Sequence, residues 1–330
     1  MQTLYAWARG RQFPQLPEPA VRYFDVAGDA RVLAHCHWHA QPAAHPTLIL
    51  LHGLEGSSIA HYMRGISHKA WKAGWNVVRL NQRNCGGTEQ LSAGLYHSGL
   101  TEDADYVIRE LANRDGVSSI VVAGYSLGGN LALKLAGDYG EGAPAQLRGV
   151  AAVSPVADLE ACVRALERAH NIVYQWNFVR GLKARMRRKV ACRPGSFSLE
   201  PLRHIRTVRE FDATFTAPHF GFASAEDYYH RASALRVLDR IRVRTLIITA
   251  ENDPFVPADT FRDERVARNP HIELRLLRYG GHCGFLAASQ DGYDGYWAEQ
   301  RIVDFACRVV AQENGEIAKG ERQNGESILL

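Results

Sequence analysis

The 330-residue sequence lacks the features that mark membrane-spanning, secreted or disulfide-rich proteins. It has six cysteines with no C-x-x-C pair, which favours reduced thiols in a cytosol-like compartment. No stretch approaches the roughly 20 apolar residues that a transmembrane helix needs. The N-terminus has no basic segment followed by an apolar one, so we expect no signal peptide. These absences together predict a soluble, cytoplasmic protein.

Motifs for cofactors and nucleic acids are also missing. The chain has neither a dinucleotide fingerprint nor a P-loop, and a net charge of +4 gives little support for nucleic-acid binding. Three alternating histidines, His35, His37 and His39, could ligate a metal, but no carboxylate or cysteine nearby completes a set. We interpret them as the exposed face of an edge strand, and we expect neither a metal nor a cofactor.

The most informative stretch that is present surrounds Ser126. An apolar run over residues 120–123 predicts a buried strand, Gly-x-Ser-x-Gly follows at 124–128, and a helix is predicted from residue 130. This context indicates the nucleophile elbow of an α/β-hydrolase, in which glycines let strand and helix approach each other around the serine. The alternative is a tight β–α turn with a solvent-exposed serine, which the flanking strand and helix disfavour.

Two further side chains complete a catalytic set in the order that this fold uses. Asp253 follows a predicted strand over residues 245–249, and His282 follows another over 273–277. The carboxyl ends of parallel strands meet at one edge of the sheet, where active sites lie. We therefore predict Ser126 as nucleophile, His282 as base and Asp253 as the acid that orients it. Asp158, after the preceding strand, is the second candidate for the acid.

The backbone donors of an oxyanion hole can also be predicted. The apolar strand 47–51 runs into a His-Gly-Leu loop, and in this fold that loop supplies one N–H group while the residue after the nucleophile supplies the other. Leu54 and Leu127 are the candidates. An ordinary turn at the end of the strand is the alternative for this loop.

Three motifs carry a more specific resemblance: H-G-L-E-G-S-S at residues 52–58, N-x-R-x-C-G-G at 81–87 and Y-H-x-G-x-T-x-D at 96–103. On these motifs the chain resembles the YheT-like branch of the α/β-hydrolases (hydrolase family 4) over roughly residues 25–310. That branch also includes membrane-anchored eukaryotic lipid esterases. The sequence departs from the pattern at Asn84, where the family usually has glycine. Because asparagine tolerates a positive φ better than most residues, we expect the loop to keep its shape.

The resulting plan is an α/β-hydrolase fold with a mostly parallel sheet and an inserted helical cap. We predict an N-terminal arm at 1–20, a core at 21–158 and 236–311, a cap at 159–235 and a disordered tail at 312–330. Residues 160–212 hold twelve Lys or Arg and five Asp or Glu. A solvated helix face and a role at an anionic surface remain open for the basic cluster formed by Arg180, Lys183, Arg185, Arg187, Arg188 and Lys189.

The predicted activity is hydrolysis of carboxylic esters through an acyl-enzyme. A lid over Ser126 lined with apolar side chains favours medium- or long-chain acyl esters or lipids. One alternative is an acyltransferase with the same triad, in which an alcohol or thiol replaces water. Another is a non-catalytic binding protein on a hydrolase fold, which the intact triad disfavours.

Overall fold

The fold is built on one eight-stranded sheet with strand order β1-β2-β4-β3-β5-β6-β7-β8. The computed structural model describes residues 11–13, 15–289 and 293–326. The pairs β1–β2 and β2–β4 are antiparallel and the remaining pairs are parallel, which confirms the predicted α/β class. The strands are β1 (Ala20–Ala27), β2 (Ala30–His37), β3 (Thr47–Leu51), β4 (Asn76–Leu80), β5 (Ile120–Tyr125), β6 (Leu147–Val153), β7 (Thr245–Ala250) and β8 (Ile272–Leu277).

Helices cover both faces of this sheet. The α-helices are α1 (His61–Lys72), α2 (Glu102–Asn113), α3 (Leu127–Tyr139), α4 (Leu159–Leu166), α5 (Ile172–Cys192), α6 (Val208–Phe211), α7 (Ala217–His219), α8 (Ala225–Ala232), α9 (Glu264–Ala267) and α10 (Trp297–Glu326). A π-helical segment, Asp212–Thr216, joins α6 to α7. None of the helices in the described ranges is long and apolar enough to span a membrane.

Alternate residues of the central strands enter two separate cores. Leu48 and Leu50 of β3 pack with α1 and α10 on one face, whereas Ile49 and Leu51 pack with α2 and α3 on the other. Successive strand residues point to opposite faces, so a strand covered on both sides must be apolar throughout. All residues of β3, β4 and β5 are buried.

Between β6 and β7 the chain forms helices α4 to α8 instead of a single β–α unit. We use the name cap for residues 159–235. Helix α4 begins at Leu159 because the Asp158 side chain accepts the N–H of Ala161 at 3.1 Å, which satisfies a backbone donor of the first turn. The cap leaves the sheet at the end of β6, next to the carboxyl ends of the parallel strands.

The expectation for the histidine strand is wrong. β2 lies between β1 and β4, so it is not an edge strand, and His37 is buried with its Nε2 3.1 Å from Nη2 of Arg79. His35 has its Nδ1 2.7 Å from Oγ of Ser58. The outer position is taken by β1, which has exposed Val21 and Tyr23 on its outward face. Within the described ranges, no group of three His, Cys, Asp or Glu side chains is arranged to hold a metal.

The end of the chain also differs from the prediction. Helix α10 continues to Glu326, through most of the segment 312–330 for which the sequence predicts a disordered tail. The segment contains many good helix formers (Glu, Gln, Ala, Lys and Arg) and no proline to end the helix. Residues 327–330, and residues 1–10 of the predicted arm, lie outside the described residues.

Candidate active site

Ser126 occupies a strained turn between β5 and α3. Its φ of 55° and ψ of −114° are unusual for a residue with a side chain. A Cβ added to Gly124 would collide with the carbonyl oxygen of Gly128, and one added to Gly128 would collide with that of Leu51. The two glycines of the motif are therefore needed for the turn itself. The turn holds the serine at the carboxyl edge of the sheet.

Three predicted side chains form one hydrogen-bonded chain. His282 has its Nε2 2.9 Å from Oγ of Ser126 and its Nδ1 2.9 Å from Oδ2 of Asp253. The Asp253 side chain is fully buried, and its Oδ1 accepts the N–H groups of Phe255 at 3.1 Å and Val256 at 3.0 Å. These bonds fix the carboxylate so that it faces the imidazole. The arrangement can take a proton from the serine hydroxyl and stabilise the imidazolium that results.

The second candidate acid has a different environment. Asp158 uses its carboxylate to cap α4, as described above, whereas Asp253 is the carboxylate that the structure brings to His282. The difference follows from the two loops. The loop after β7 turns its acid toward the loop after β8, but the chain after β6 turns directly into the first cap helix.

Asn252 connects the two loops that carry the acid and the base, and sequence reasoning missed it. Its Oδ1 accepts the N–H of Gly280 at 3.0 Å and that of Gly281 at 2.9 Å. The N–H of Cys283, directly after the histidine, donates to Oγ of Ser154 at 3.1 Å. Hydrogen bonds therefore fix the backbone both before and after His282. The preference of asparagine for bonding to loop backbone was the available signal.

The electrostatic environment of His282 favours its charged form. Burial lowers the pKa of the imidazole, but the neighbouring Cys283 and the hydrogen-bonded Asp253 carboxylate raise it, and the net result is a pKa above the ordinary 6.5. A stronger base takes the serine proton more readily. The neutral imidazole, which is the form that can accept a proton, becomes the major form only at a pH above 6.5.

The loop after β3 lies against the serine and leaves one N–H group unused. A Cβ on Gly53 would be 3.3 Å from Cβ of Ser126. The N–H of Gly53 donates to Tyr62 at 3.0 Å and that of Glu55 to Tyr96 at 3.3 Å, but the N–H of Leu54 has no acceptor among the described residues. An unpaired donor at this position fits an oxyanion site.

The second predicted donor, Leu127, is the first residue of α3, where backbone N–H groups have no acceptor inside the helix.

His52 connects the loop after β3 to the loop after β4 by two contacts of its imidazole ring. Its Nε2 accepts the N–H of Gln82 at 3.1 Å and its Nδ1 lies 2.8 Å from the carbonyl oxygen of Gly53. Burial lowers the pKa of His52 to about 4, so the ring is neutral and serves as one donor and one acceptor.

A cavity opens at Ser126 between the core and the cap. It contains about 730 Å³ of empty space, part of it open to solvent, which is the size of a small-molecule site. The cap supplies most of the apolar wall, with Leu159, Cys162, Val163, Leu166, Phe178, Leu182, Val208 and Phe211. The polar part of the lining includes Tyr96, Ser98, Arg185, Asp212, Thr216 and Tyr229.

The basic cluster of the cap is divided by burial. Arg185 and Lys189 are buried, and Nε of Arg188 lies 2.5 Å from Oε1 of Glu89. Arg180 and Arg187 are exposed and Lys183 is half-buried. A solvated face therefore accounts for only part of this cluster. The periodicity of a helix places residues three or four positions apart on the same side, so Arg185 and Lys189 turn inward together.

Comparisons with known proteins identify the family of this chain. Residues 46–288 match the family model described as the alpha/beta hydrolase fold. The protein YheT of Escherichia coli (strain K12) is 37% identical over 280 residues, which cover 84% of this chain and 81% of YheT. Phospholipase ABHD3 of Mus musculus is 29% identical over 264 residues, which cover 80% of this chain but only 62% of the mouse protein.

A solved structure, that of the Pyrococcus furiosus esterase Pf2001, superposes with a TM-score of 0.59 at 17% identity and covers 91% of this chain and 96% of the esterase. At that identity the likeness concerns the fold alone. The family model and YheT each match most of the chain. The chain therefore belongs to the α/β-hydrolase family, in its YheT-like branch.

Proposed function

We propose that this protein is a serine hydrolase that cleaves carboxylic esters of medium- or long-chain acyl groups through an acyl-enzyme. Ser126 is the nucleophile, His282 the general base and acid, and Asp253 the orienting acid. The N–H groups of Leu54 and Leu127 form the oxyanion hole. The observation that carries the proposal is the chain of two 2.9 Å contacts from Ser126 through His282 to Asp253, at the mouth of a cavity.

The reaction follows from this geometry. As Oγ of Ser126 attacks the ester carbonyl carbon, Nε2 of His282 takes its proton and the carbonyl oxygen becomes an oxyanion near the two N–H groups. The imidazolium then protonates the departing alcohol, which leaves the acyl group on the serine. Water, activated by the same imidazole, releases the acid in the second half of the reaction.

The preference for longer acyl chains rests on the apolar wall that the cap contributes. Each buried methylene is worth about 0.8 kcal/mol, so an octanoyl chain in this cavity gains binding energy that an acetyl group cannot. The mouse relative is named a phospholipase, which supports a lipid ester as the substrate class. Peripheral contact with an anionic membrane is a further part of the proposal, through the exposed Arg180 and Arg187 only.

The proposal is tested with p-nitrophenyl esters from acetyl to palmitoyl and with a fluorophosphonate probe. We expect covalent labelling of Ser126 and a kcat/KM for octanoyl that exceeds the value for acetyl. Equal kcat/KM values for the two esters would show that the cavity does not bind the acyl chain. Added acceptor alcohols that divert the acyl group from water would identify an acyltransferase. A wild-type protein that neither labels nor turns over would be a binding protein.

Membrane contact is tested by co-sedimentation with anionic vesicles at low and physiological salt. We expect binding that weakens with salt and is lost in an Arg180→Gln, Arg187→Gln variant, since exposed cations are attracted to anionic lipid. Neutral phosphatidylcholine vesicles serve as the control. Binding that persists in the double variant would exclude these two side chains as the contact.

A further inference from the structure

We propose that Arg185 of the cap is a positioning residue for the oxyanion hole and acts through Glu55. In this proposal the cap does more than line the acyl cavity. Its helix α5 holds the loop that carries the N–H of Leu54. The inference rests on the proposed function, because it assigns a role within the same reaction.

The loop conformation needs support from outside the loop. Glu55, directly after Leu54, has a φ of 55°, in the left-handed region that residues with side chains rarely adopt. Such a conformation persists only where the surroundings hold it. Within the loop, the contact between the N–H of Gly56 and the carbonyl oxygen of Gly53, at 3.0 Å, closes the turn. The Glu55 side chain is left to be held by other elements.

The cap and one core side chain supply that support. Nε of Arg185 lies 2.8 Å from Oε1 of Glu55, and the two side chains are only 4% and 13% exposed. The N–H of Glu55 donates to the hydroxyl of Tyr96 at 3.3 Å, and the guanidinium of Arg185 lies 4.6 Å from the centre of the Tyr96 ring. One turn earlier on α5, a Cβ on Gly181 would be 3.1 Å from Cγ of Glu55. The helix and the loop are therefore in close contact.

The charges show that Glu55 is the principal partner of Arg185. Of the other acids near it, Asp212 already accepts hydrogen bonds from Thr216 at 2.7 Å and Tyr229 at 2.8 Å. Nε and Nη1 of Arg185 are buried and have no hydrogen-bond partner among the described residues, so the contact with Glu55 is an ion pair without hydrogen-bond geometry. A buried guanidinium stays charged, so loss of its carboxylate partner leaves an uncompensated charge beside the loop. The ion pair thus connects the cap directly to the residue that follows the oxyanion donor.

This role predicts a specific kinetic pattern. A misplaced oxyanion donor weakens stabilisation of the transition state more than binding of the substrate. For an octanoyl ester we expect Arg185→Met and Glu55→Gln each to lower kcat by about 10- to 100-fold while KM changes by less than about threefold. The double variant should be no worse than the poorer single variant, because both changes break the same contact. Arg164→Met, at an exposed arginine on the cap helix α4, is the matched control.

A second readout separates positioning from packing. Octaneboronic acid forms a tetrahedral adduct with the serine, so its affinity should fall in step with kcat in both variants. Arg185→Lys should recover part of kcat, since it restores a cation near Glu55. If Arg185→Met fails to fold, Arg185→Lys and Glu55→Gln carry the test, because both keep nearly the original volume.

Folded variants with wild-type kcat and boronate affinity would overturn the inference. A raised KM with unchanged kcat would also overturn it, because that result would mean that Arg185 only forms part of the wall of the substrate cavity. Failure of the proposed function gives a different result. In that case the wild-type protein itself shows no fluorophosphonate labelling and no hydrolysis.

Discussion

The sheet core and the cap contribute to the site in different ways. In the core, Ser126, Asp253 and His282 are held by backbone geometry: glycines in the elbow and backbone N–H groups on the Asp253 carboxylate. In the cap, helices supply a wall of apolar side chains and a few buried charged groups that reach the core. The three side chains of the core are thus positioned by strand ends and backbone contacts, whereas the cavity wall and the attachment of the cap depend on helix side chains.

Lys189 makes another attachment between the cap and the core. This fully buried side chain donates to Oδ1 of Asn84 at 2.7 Å and to the carbonyl oxygens of Glu89, at 3.0 Å, and Ser92. Asn84 has a φ of 62°, a positive value that asparagine tolerates better than most residues. Its side chain also gives the cap a partner that glycine could not provide.

The largest expected effect tests the core. Ser126→Ala should remove fluorophosphonate labelling and lower kcat by about 10⁴–10⁶, because the proposed acyl-enzyme forms on the hydroxyl oxygen that this variant lacks. Ser118→Ala, at an exposed serine before β5, is the control and should behave as the wild type. Retention of more than a few per cent of turnover in Ser126→Ala would refute the assignment of the nucleophile.

The next effect separates the two candidate acids. Asp253→Asn should lower kcat by about 10⁴, because the amide favours the wrong histidine tautomer. Asp158→Asn should leave kcat close to the wild-type value, since asparagine also caps helices well. Steady-state kinetics and circular dichroism on both variants give the answer. The reverse ranking would transfer the role of the acid to Asp158.

A smaller effect tests the attachment of the cap. Lys189→Met should reduce the free energy of unfolding by about 2–4 kcal/mol, because it leaves buried carbonyl oxygens without a donor. Arg187→Met, on the exposed side of the same helix, should change it by less than about 0.5 kcal/mol. Urea denaturation followed by fluorescence measures both. Equal stabilities would mean that Lys189 does not secure the cap.

The smallest expected effect is a displacement of the pH profile. As the proposed general base, His282 must be neutral to accept a proton. Its pKa is raised above 6.5, so kcat/KM should fall on the acid side with a midpoint above pH 6.5. Asp253→Asn removes one cause of the raised pKa, so its labelling rate should titrate at lower pH. A wild-type midpoint at or below pH 6.5 would contradict the electrostatic description of the core.

Much of the core could be predicted from the sequence because its strands are covered on both faces. The predicted strand 47–51 coincides with β3, since a continuous apolar run suits a strand that is covered on both faces of a parallel sheet. The elbow could be predicted for a related reason. Its glycines are required locally, by the close approach of strand and helix, and the structure brings the three predicted side chains together at the strand ends.

Other features depended on contacts between distant segments. The position of β2 inside the sheet depends on pairing with β1, so the sequence of β2 alone indicated an edge. The burial of Arg185 and Lys189 depends on Glu55 and Asn84, which lie more than 100 residues away. A charged side chain has the same local preferences whether it meets water or a buried partner. Local pattern therefore determined the sheet and the elbow, while tertiary contacts decided which charges face solvent and which hold the cap to the core.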